Sequence, residues 1–317
     1  MEPSSKCRYQ QFEREIRKYA SAKNIGKVGV ALSGGADSVA TLVALQKAGI
    51  NVIAMHCNFH LRGEESNRDQ KFVENLCHDL QIELKTKNFD VDDYMKNNPG
   101  NSLEMACRTL RHDFFRKIMA EESLDRIVTG HNADDNIETM FLNLLRGSGT
   151  SGLKGMVYDN EVIWRPLLHH HRDEILRYLD ARNYTFVTDS TNLQSDFRRN
   201  FLRNEIIPLL RSRWPGFNKA LDSSMRYISD ENSIVESAIS NALPPIGKPL
   251  STETILNFPA PHLLVRRYIS PLKPFTTTAS EVLAAINADK PHIRTWNLPN
   301  GTLILRNHRL LITLKES

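Results

Sequence analysis

The sequence is poor in cysteine, and its cysteines are not arranged in pairs. The four in the 317-residue chain, Cys7, Cys57, Cys77 and Cys107, are widely spaced and form no C-x-x-C motif. That spacing argues against a zinc ribbon, a redox dithiol and a disulfide-bonded scaffold. A reduced, cytoplasmic protein is therefore the simplest expectation, with Cys107 packed in a core rather than acting as a nucleophile.

Long apolar runs are also missing. The first residues lead into a charged amphipathic stretch without an apolar run of the signal-peptide type. No segment approaches the roughly 18 apolar residues that a membrane-spanning helix needs, so we expect no membrane association. An apolar fraction of 40% is nevertheless enough for buried cores, and the length is comfortable for two domains.

The chain has no strong charge of one sign. Its 41 lysines and arginines against 37 acidic residues give a formal net charge of +4, which is too small to indicate a nucleic-acid partner by itself. Clustering is more informative, because a predicted basic helix over residues 197–213 carries Arg198, Arg199, Arg203, Arg211 and Arg213. Such a cluster suits contacts with phosphates, and a solvated basic face is the alternative.

Strand-like and helix-like segments alternate through the first half of the chain. The strands are predicted at 28–32, 51–55, 82–89 and 126–129, and the helices at 38–48, 68–80, 103–121 and 134–146. This alternation predicts right-handed crossovers and a parallel sheet, so the fold class is α/β with a Rossmann-like nucleotide-binding domain.

A second domain is expected after the helix-breaking run Trp214-Pro215-Gly216. We therefore place a catalytic domain at 1–215 and a substrate-binding domain at 216–317. The second domain is predicted to be mainly helical, with a long helix over 217–243 and short helices up to about 289. It ends in strands at 292–298, 302–305 and 310–314, with a tight turn near Asn307-His308.

A glycine-rich turn follows the first predicted strand and precedes a helix. It reads Ser33, Gly34, Gly35, Ala36, Asp37, Ser38. Its glycines let backbone N–H groups point at an anion, the helix adds its positive end, and the two serines can donate hydroxyl bonds. Asp37 beside a phosphate requires a cation between them, which we assign as Mg²⁺. An ordinary glycine turn is the alternative.

The turn is not a G-x-x-x-x-G-K-S/T phosphate loop, because it lacks the lysine. Its pattern S-G-G-x-D-S resembles the signature of the N-type ATP pyrophosphatases, also called the PP-loop family. The resemblance implies that the protein binds ATP and Mg²⁺ at the carboxyl edge of the sheet. It also implies that ATP activates an oxygen atom of the substrate by adenylation, with pyrophosphate leaving.

A second polar cluster runs from Gly130-His131 to Glu138-Thr139. Asp135 and Glu138 are three residues apart, so they share a helical face near the helix start. Two carboxylates together suit a metal ion or an ammonium group. Helix capping by Asp134 or Asp135 is the alternative, but capping alone leaves His131 unexplained.

Several blocks together resemble the lysidine synthetase branch of the family. They are His131 to Thr139 followed by Arg146-Gly147-Ser148-Gly149, the helix from Glu104 to Phe114, Arg165-Pro166-Leu167-Leu168, Asp189-Ser190-Thr191-Asn192, and Arg199 to Arg203 with Ile207-Pro208-Leu209-Leu210. The match covers about residues 25–215 and weakens after them. Longer relatives carry two carboxyl-terminal domains, whereas this sequence has room for one and part of another.

The resemblance implies a reaction as well as a fold. We expect ATP to adenylate the C2 oxygen of the wobble cytidine in the CAU anticodon of tRNA(Ile). L-Lysine then attacks C2, so that AMP and pyrophosphate are released and a carbon–nitrogen bond is formed. The expected partners are therefore tRNA(Ile) and L-lysine, and relatives of this type suggest a homodimer.

The same resemblance implies roles for single residues. Asp37, Asp135 and Arg203 are the expected catalytic residues, and Asp135 with Glu138 the expected lysine site. ATP contacts are assigned to the Ser33–Ser38 turn, Met55, Arg111 and His131, although Met55 is equally well read as a core methionine. The tRNA contacts are assigned to Arg198, Arg199, Arg211 and Arg213.

Three other functions remain open at this point. A tRNA thiolase of the same family needs a cysteine pair or cysteines around an iron–sulfur cluster, which the cysteine spacing does not provide. A small-molecule amidating synthetase needs an ammonia source, and a nucleotide-binding regulator needs no acidic cluster. The run His169-His170-His171 is typical of a metal tract, but without cysteine we favour a loop leading into a helix over a zinc site.

Overall fold

The protein is represented by a computed structural model that describes residues 5–188, 197–245, 247–288 and 293–315, without the side chains of 5–11 and 197. The chain divides into two compact units, Met1–Met225 and Arg226–Ser317. This division lies ten residues beyond the boundary expected after Pro215, inside a helix. The assignment of catalysis to one part and substrate binding to the other stays a prediction.

The first unit is built on a five-stranded parallel sheet, as the alternation of segments predicted. Its strands are β1 (Lys27–Ala31), β2 (Asn51–Asn58), β3 (Glu83–Asn88), β4 (Arg126–Val128) and β5 (Ile163–Trp164), in the order β3-β2-β1-β4-β5. The central strands β1 and β2 are apolar and buried because helices cover both faces of such a sheet. The edge strand β3 is polar and largely exposed.

Ten helices of the first unit lie within the described residues. They are α1 (Ser5–Ala22), α2 (Ala36–Lys47), α3 (Glu64–Asp79), α4 (Val91–Asn97), α5 (Leu103–Glu121), α6 (Ala133–Leu145), α7 (Thr150–Leu153), α8 (Arg172–Ala181), α9 (Phe197–Phe201) and α10 (Ile207–Arg213). Helix α2 is buried almost all round, and it packs with β1 and Trp164 in the main core. The carboxyl end of β1 therefore delivers the chain directly into a central, rigid helix.

The basic segment predicted as one helix contains a change of pitch. A π-helical turn, Leu202–Ile206, separates α9 from α10. Pro208 in the first turn of α10 has no N–H to donate to the carbonyl one turn earlier, which favours a widened turn before it. Arg203 lies in this π-helical turn, and such turns frequently occur at functional sites.

The second unit has its own core. After α11 (Phe217–Ala242) come α12 (Thr252–Asn257), α13 (Pro261–Tyr268) and α14 (Thr278–Asn287). An antiparallel sheet follows the order β6-β9-β8-β7, with strands Leu250–Ser251, Arg309–Leu314, Gly301–Arg306 and Arg294–Leu298. Asn307 and His308 both have positive φ, as a two-residue turn between β8 and β9 requires.

These results confirm the mainly helical second part with terminal strands. The short strand β6 was not predicted, because two residues give no detectable alternation. Along the described part of the chain, no helix is both long enough and apolar enough to cross a bilayer. Cys107 lies in a hydrophobic cluster with Phe114 and Ile118, in agreement with its expected packing role.

Candidate active site at the carboxyl edge of the sheet

The turn between β1 and α2 is shaped by two serines and a glycine. Gly34 has a φ of +91°, a backbone conformation that residues with a side chain rarely adopt. The Ser38 hydroxyl donates to the Gly35 carbonyl at 2.9 Å and accepts from the Ser33 N–H at 3.2 Å. This short network keeps the turn open at the surface, with the Ser33 side chain exposed.

The amino end of α2 suits an anion. Gly35 is its capping residue and offers no side-chain cap, so no side-chain oxygen of this residue occupies the first N–H groups. The helix dipole adds positive potential at the same place, and the Ser33 hydroxyl is next to it. A polyphosphate fits this donor set, and the ATP contacts of the turn stay predictions.

Asp37 is held through both carboxylate oxygens. Oδ1 accepts from Asn132 Nδ2 at 3.1 Å, and Oδ2 accepts from Arg172 Nη1 at 2.6 Å. Burial raises the pKa of Asp37 above its ordinary value, although the charge of Arg172 works against that shift and Asp135 adds to it. The Arg172 side chain is 49% exposed, so it is the movable member of this pair.

Gly130 brings the end of β4 against the first turn of α2. A Cβ placed on Gly130 would lie 2.9 Å from the backbone carbon and oxygen of Asp37. Because the obstruction is backbone, it cannot rotate away, so glycine is required by close approach rather than by an unusual φ. This contact sets the distance between the turn and the loop that enters α6.

The loop after Gly130 ends in a capping box at the start of α6. Asn132 Oδ1 accepts from the Asp135 N–H at 2.9 Å, and Asp135 Oδ2 accepts from the Asn132 N–H at 3.2 Å. The capping alternative therefore applies to Asp135, but only to one of its oxygens. The other oxygen, Oδ1, faces the arginines of α9 and the π-helical turn.

Asp135, Glu138, Arg199 and Arg203 form what we term the acid–arginine cluster. Arg203 holds Glu138 with two bonds, at 2.6 Å and 3.0 Å, and contacts Asp135 at 3.0 Å. Arg199 contacts Glu138 at 2.7 Å and Asp135 at 3.4 Å. The structure thus brings the two predicted lysine-site carboxylates together with the predicted catalytic arginine.

The two carboxylates of the cluster differ in accessibility. The Glu138 side chain is 2% exposed, whereas that of Asp135 is 17% exposed. Burial lowers the pKa of Arg203, but its bonds and charge contacts with Glu138 and Asp135 outweigh this, and the net shift is upward. Glu138 is therefore the internal anchor of the cluster, and Asp135 is its more accessible acid.

Asp134 belongs to a different group. It accepts from the Arg172 N–H at 2.7 Å and from His171 Nδ1 at 3.3 Å, and it pairs with Arg211. Burial opposes ionisation, but these donors hold the pKa of Asp134 well below its usual range. The group fixes the start of α8, and thereby Arg172, beside the first turn of α6.

His131 is neutral and lies among arginines. Burial lowers its pKa to about 4, and the charges of Arg165, Arg199, Arg108 and Arg111 add to the shift. Thr129 Oγ1 lies 2.8 Å from its Nδ1. Since several cations surround the ring, the region is electropositive and suits a phosphate, and the ATP contacts of His131 and Arg111 stay predictions.

Not every predicted residue is presented to this site. Met55 is fully buried, and its carbonyl accepts from the Leu32 N–H at 2.9 Å, so its contact with adenine stays a prediction. Arg199 and Arg211 contact acids of this unit, and Arg198 and Arg213 are exposed near the two ends of the basic segment. The block 189–192 lies outside the described residues.

The three consecutive histidines have separate partners. His169 stacks on Tyr158, with ring centroids 5.0 Å apart, and His170 meets Phe12 edge-on at 4.6 Å. His171 precedes α8 and faces Asp134 and Asp222. This arrangement is that of a loop entering a helix, which is the role we favoured.

Sequence reasoning assigned no site role to Gly130, Asn132, Arg165 or Arg172. Gly130 and Arg165 lie in the blocks named in the sequence analysis, and Asn132 followed three residues later by Asp135 resembles a capping-box pattern. Arg165 is partly buried, bonds the Val157 carbonyl at 2.7 Å, and has a pKa lowered by burial and by Arg108. Arg165 and Arg172 are far from the phosphate turn in the sequence, and folding alone brings their side chains to the site.

Comparison with known proteins identifies the family. The PP-loop domain family matches residues 8–210. The chain belongs to this family. A tRNA(Ile)-lysidine synthase of Bacteroides thetaiotaomicron is 41% identical over 250 residues, which is 78% of this chain and 58% of that protein. A tRNA(Ile)-lysidine synthase of Porphyromonas gingivalis is 39% identical over 286 residues, or 89% and 61% of the two chains.

These relatives confirm the expected resemblance to lysidine synthetases, and the chain spans about three-fifths of their length. Among solved structures, a U34-tRNA thiolase from Methanococcus maripaludis with its 4Fe–4S cluster superimposes with a TM-score of 0.58. It shares 22% sequence identity and covers 71% of this PP-loop chain and 80% of the thiolase chain. At that identity, the likeness supports the fold alone.

Proposed function

We propose that this PP-loop protein is a tRNA(Ile)-lysidine synthase, a ligase that forms a carbon–nitrogen bond. Its substrates would be ATP, L-lysine and the wobble cytidine in the CAU anticodon of tRNA(Ile). One observation supports this most directly. The glycine-rich turn at Ser33–Ser38 is linked through Asn132 to Asp135 of the acid–arginine cluster, in a chain with the relatives named above.

The phosphate chain of ATP would lie on the turn and the amino end of α2. Mg²⁺ supplies charge neutralisation for the departing pyrophosphate when it is bound, and an aspartate oxygen is a ligand it prefers. Asp37 fits that role through Oδ2. Arg172 now occupies this oxygen, but its half-exposed side chain can move off and remain near the phosphates as a second positive charge.

The first chemical step would be attack of the cytidine C2 oxygen on the α-phosphorus of ATP. Negative charge then builds on the phosphate oxygens, and preorganised cations stabilise it best. Arg203 and the electropositive region around His131 supply such charge. Because His131 is neutral, it can accept or donate a hydrogen bond without adding a proton-transfer step at neutral pH.

The second step would be attack of the lysine amine on C2, with the bond from C2 to the adenylated oxygen breaking and AMP leaving. We assign Asp135 as the carboxylate that receives the ammonium group, because it is the more accessible acid of the cluster. Glu138, held by Arg199 and Arg203, would orient the arginines rather than contact lysine. Asp135 could also take the proton that the amine must lose before it attacks.

The tRNA would be bound through the exposed arginines of the basic segment. Arg198 and Arg213 are candidates because both are exposed on this segment, and contacts from Arg199 and Arg211 remain predictions. An anticodon base in a single-stranded loop can enter the pocket without breaking a pair. We place the reaction in the cytoplasm, and a homodimer stays a prediction.

No observation favours the thiolase alternative. Burial raises the pKa of the Cys57 thiol to about 12 and that of Cys77 to about 11, and it also raises the pKa of Cys107. Thiols with raised pKa values are poor nucleophiles at neutral pH. Their environments are those of core packing.

Pyrophosphate release tests the proposal. The purified protein with ATP and Mg²⁺ should release pyrophosphate only with tRNA(Ile), and the nucleoside product should gain the mass of lysine only when lysine is present. Asp37→Asn should reduce the rate by at least about 100-fold, since it removes a charge needed at the departing group, while tRNA affinity stays intact. Lysine-independent product, or no product with the correct tRNA, would refute the assignment.

A further inference from the structure

Asn132 is bonded to both parts of the site through one side-chain amide. Its Nδ2 donates to Asp37 Oδ1 at 3.1 Å, and its Oδ1 accepts from the Asp135 N–H at 2.9 Å. The residue is 2% exposed. Both ends of the amide are therefore committed, one to the carboxylate beside the phosphate turn and the other to the first turn of α6.

Helix capping alone does not require asparagine at this position. Serine, threonine and aspartate cap helices about as well as asparagine does. Serine is too short to span from the helix end to Asp37, and aspartate would present a second carboxylate oxygen where Asp37 needs a donor. The amide is the group that accepts on one side and donates on the other.

The bond to Asp37 selects which carboxylate oxygen is available. Oδ1 is bound by the buried amide, whereas Oδ2 faces the half-exposed guanidinium of Arg172. A cation that arrives with the nucleotide can replace Arg172 on Oδ2 without disturbing Oδ1. Asn132 thus fixes the rotation of the Asp37 side chain while one oxygen remains exchangeable.

We propose that Asn132 is a positioning residue that orients Asp37 toward the Mg²⁺ of the bound nucleotide and ties it to the acid–arginine cluster. This inference rests on the proposed function, because it assigns the Asp37 carboxylate to the nucleotide's metal ion. Supporting groups of this kind commonly change metal affinity by about 10–100-fold when they are removed. The role is separate from the cap, since the cap uses only the amide oxygen.

Three variants separate the two roles. Asn132→Ser keeps a capping oxygen and loses the bond to Asp37, whereas Asn132→Ala loses both. Asp90→Ala is the matched control, because Asp90 caps α4 by accepting from the Asp93 N–H at 2.9 Å. For each variant, ATP binding is measured by calorimetry across a Mg²⁺ titration, together with the melting temperature, and the KM values for ATP and lysine.

For Asn132→Ser we expect a melting temperature near that of the wild type and about a tenfold higher Mg²⁺ concentration for half-maximal ATP binding. The KM for ATP at limiting Mg²⁺ should rise with it, while the KM for lysine changes little. Asn132→Ala should show the same Mg²⁺ shift together with a lower melting temperature. Asp90→Ala should lower the melting temperature without a Mg²⁺ shift.

Two results would overturn the inference. One is a Mg²⁺ dependence of Asn132→Ser that equals the wild type, and the other is an equal shift in Asp90→Ala. A wild-type protein that binds no ATP at any Mg²⁺ concentration would instead refute the proposed function itself. The wild-type titration therefore distinguishes a failure of the Asn132 inference from a failure of the proposed function.

Discussion

His171 keeps its proton well above neutral pH in the folded protein. The carboxylates of Asp134 and Asp222, at 3.3 Å and 3.6 Å from its ring nitrogens, raise the pKa of His171 to about 10, although burial works against the shift. Because the folded-state pKa lies above the unfolded value of about 6.5, this contribution to stability is complete below pH 6.5. It is lost as the pH rises toward 10, where the folded protein also releases the proton.

The upward shift of the His171 pKa on folding predicts how the stability of a His171 variant depends on pH. His171→Gln should lower the free energy of unfolding by about 1.5–3 kcal/mol at pH 6, the value of hydrogen bonds to charged groups. The difference from the wild type should shrink from pH 7 upward and nearly vanish by pH 10. Urea unfolding of both proteins across that range measures it, and a constant difference would contradict a charged His171.

Site residues could be proposed from the sequence where they lie close together along the chain. Ser33 to Ser38 could be assigned because a strand, two glycines and a helix follow one another directly. The bonds from Asn132 and Arg172 to Asp37 could not, since 95 and 135 positions separate the partners. The pairing of Glu138 with Arg203 is equally non-local, so the sequence suggested both residues but not their contact.

At the scale of elements, the periodic signals predicted most bounds well. Helix α5 begins at Leu103 and ends at Glu121 as expected, helped by the Ser102 cap. Helices α1 and α4 were missed, as were the two-residue strands β5 and β6. Short segments carry too few residues for a period, and their structure depends on packing against elements far away in the chain.

The contact between β4 and α2 gives a prediction at this scale. Gly130→Ala would place a methyl group 2.9 Å from the Asp37 backbone, so strand and helix must separate. Overpacking of this kind typically costs about 1–3 kcal/mol, and here it should also weaken ATP binding. Gly26→Ala is the control, because its added carbon would meet only an Asp125 oxygen at 3.8 Å. Equal ATP affinity in both variants would argue against this packing role.

The basic segment gives a second prediction. Arg213 is exposed at its end, so Arg213→Ala should weaken tRNA binding about equally for all sequences. The slope of log affinity against log salt should fall by about 1, as expected for one lost phosphate contact. Filter binding at several salt concentrations measures this slope. Arg116→Ala, an exposed arginine on α5, is the control, and an equal loss there would argue against a specific role of the segment.

At the scale of the whole molecule, each unit has its own hydrophobic core. Val28, Leu42 and Trp164 belong to that of the first unit, and Leu303 and Leu310 to that of the second. All five side chains are fully buried. A ligand that binds only one folded unit stabilises that unit, by an amount that grows with the logarithm of the ligand concentration above its Kd. Addition of ATP should therefore raise the stability of the first unit, whether or not the second unit is folded.

A core variant in the second unit tests the predicted division of roles. Leu303→Ala should lower the stability of that unit by about 2–5 kcal/mol, the usual cost of such a cavity. With Mg²⁺, ATP at about 100 times its Kd should still stabilise the first unit by about 2.7 kcal/mol in the variant, as in the wild type. Affinity for tRNA should fall, since we assign part of its binding to the second unit. Calorimetric unfolding with and without ATP, combined with tRNA binding, measures both effects.

Loss of the ATP effect would show that the phosphate turn depends on the second unit. Unchanged tRNA affinity in a protein whose second unit is unfolded would place the whole tRNA site between Met1 and Met225.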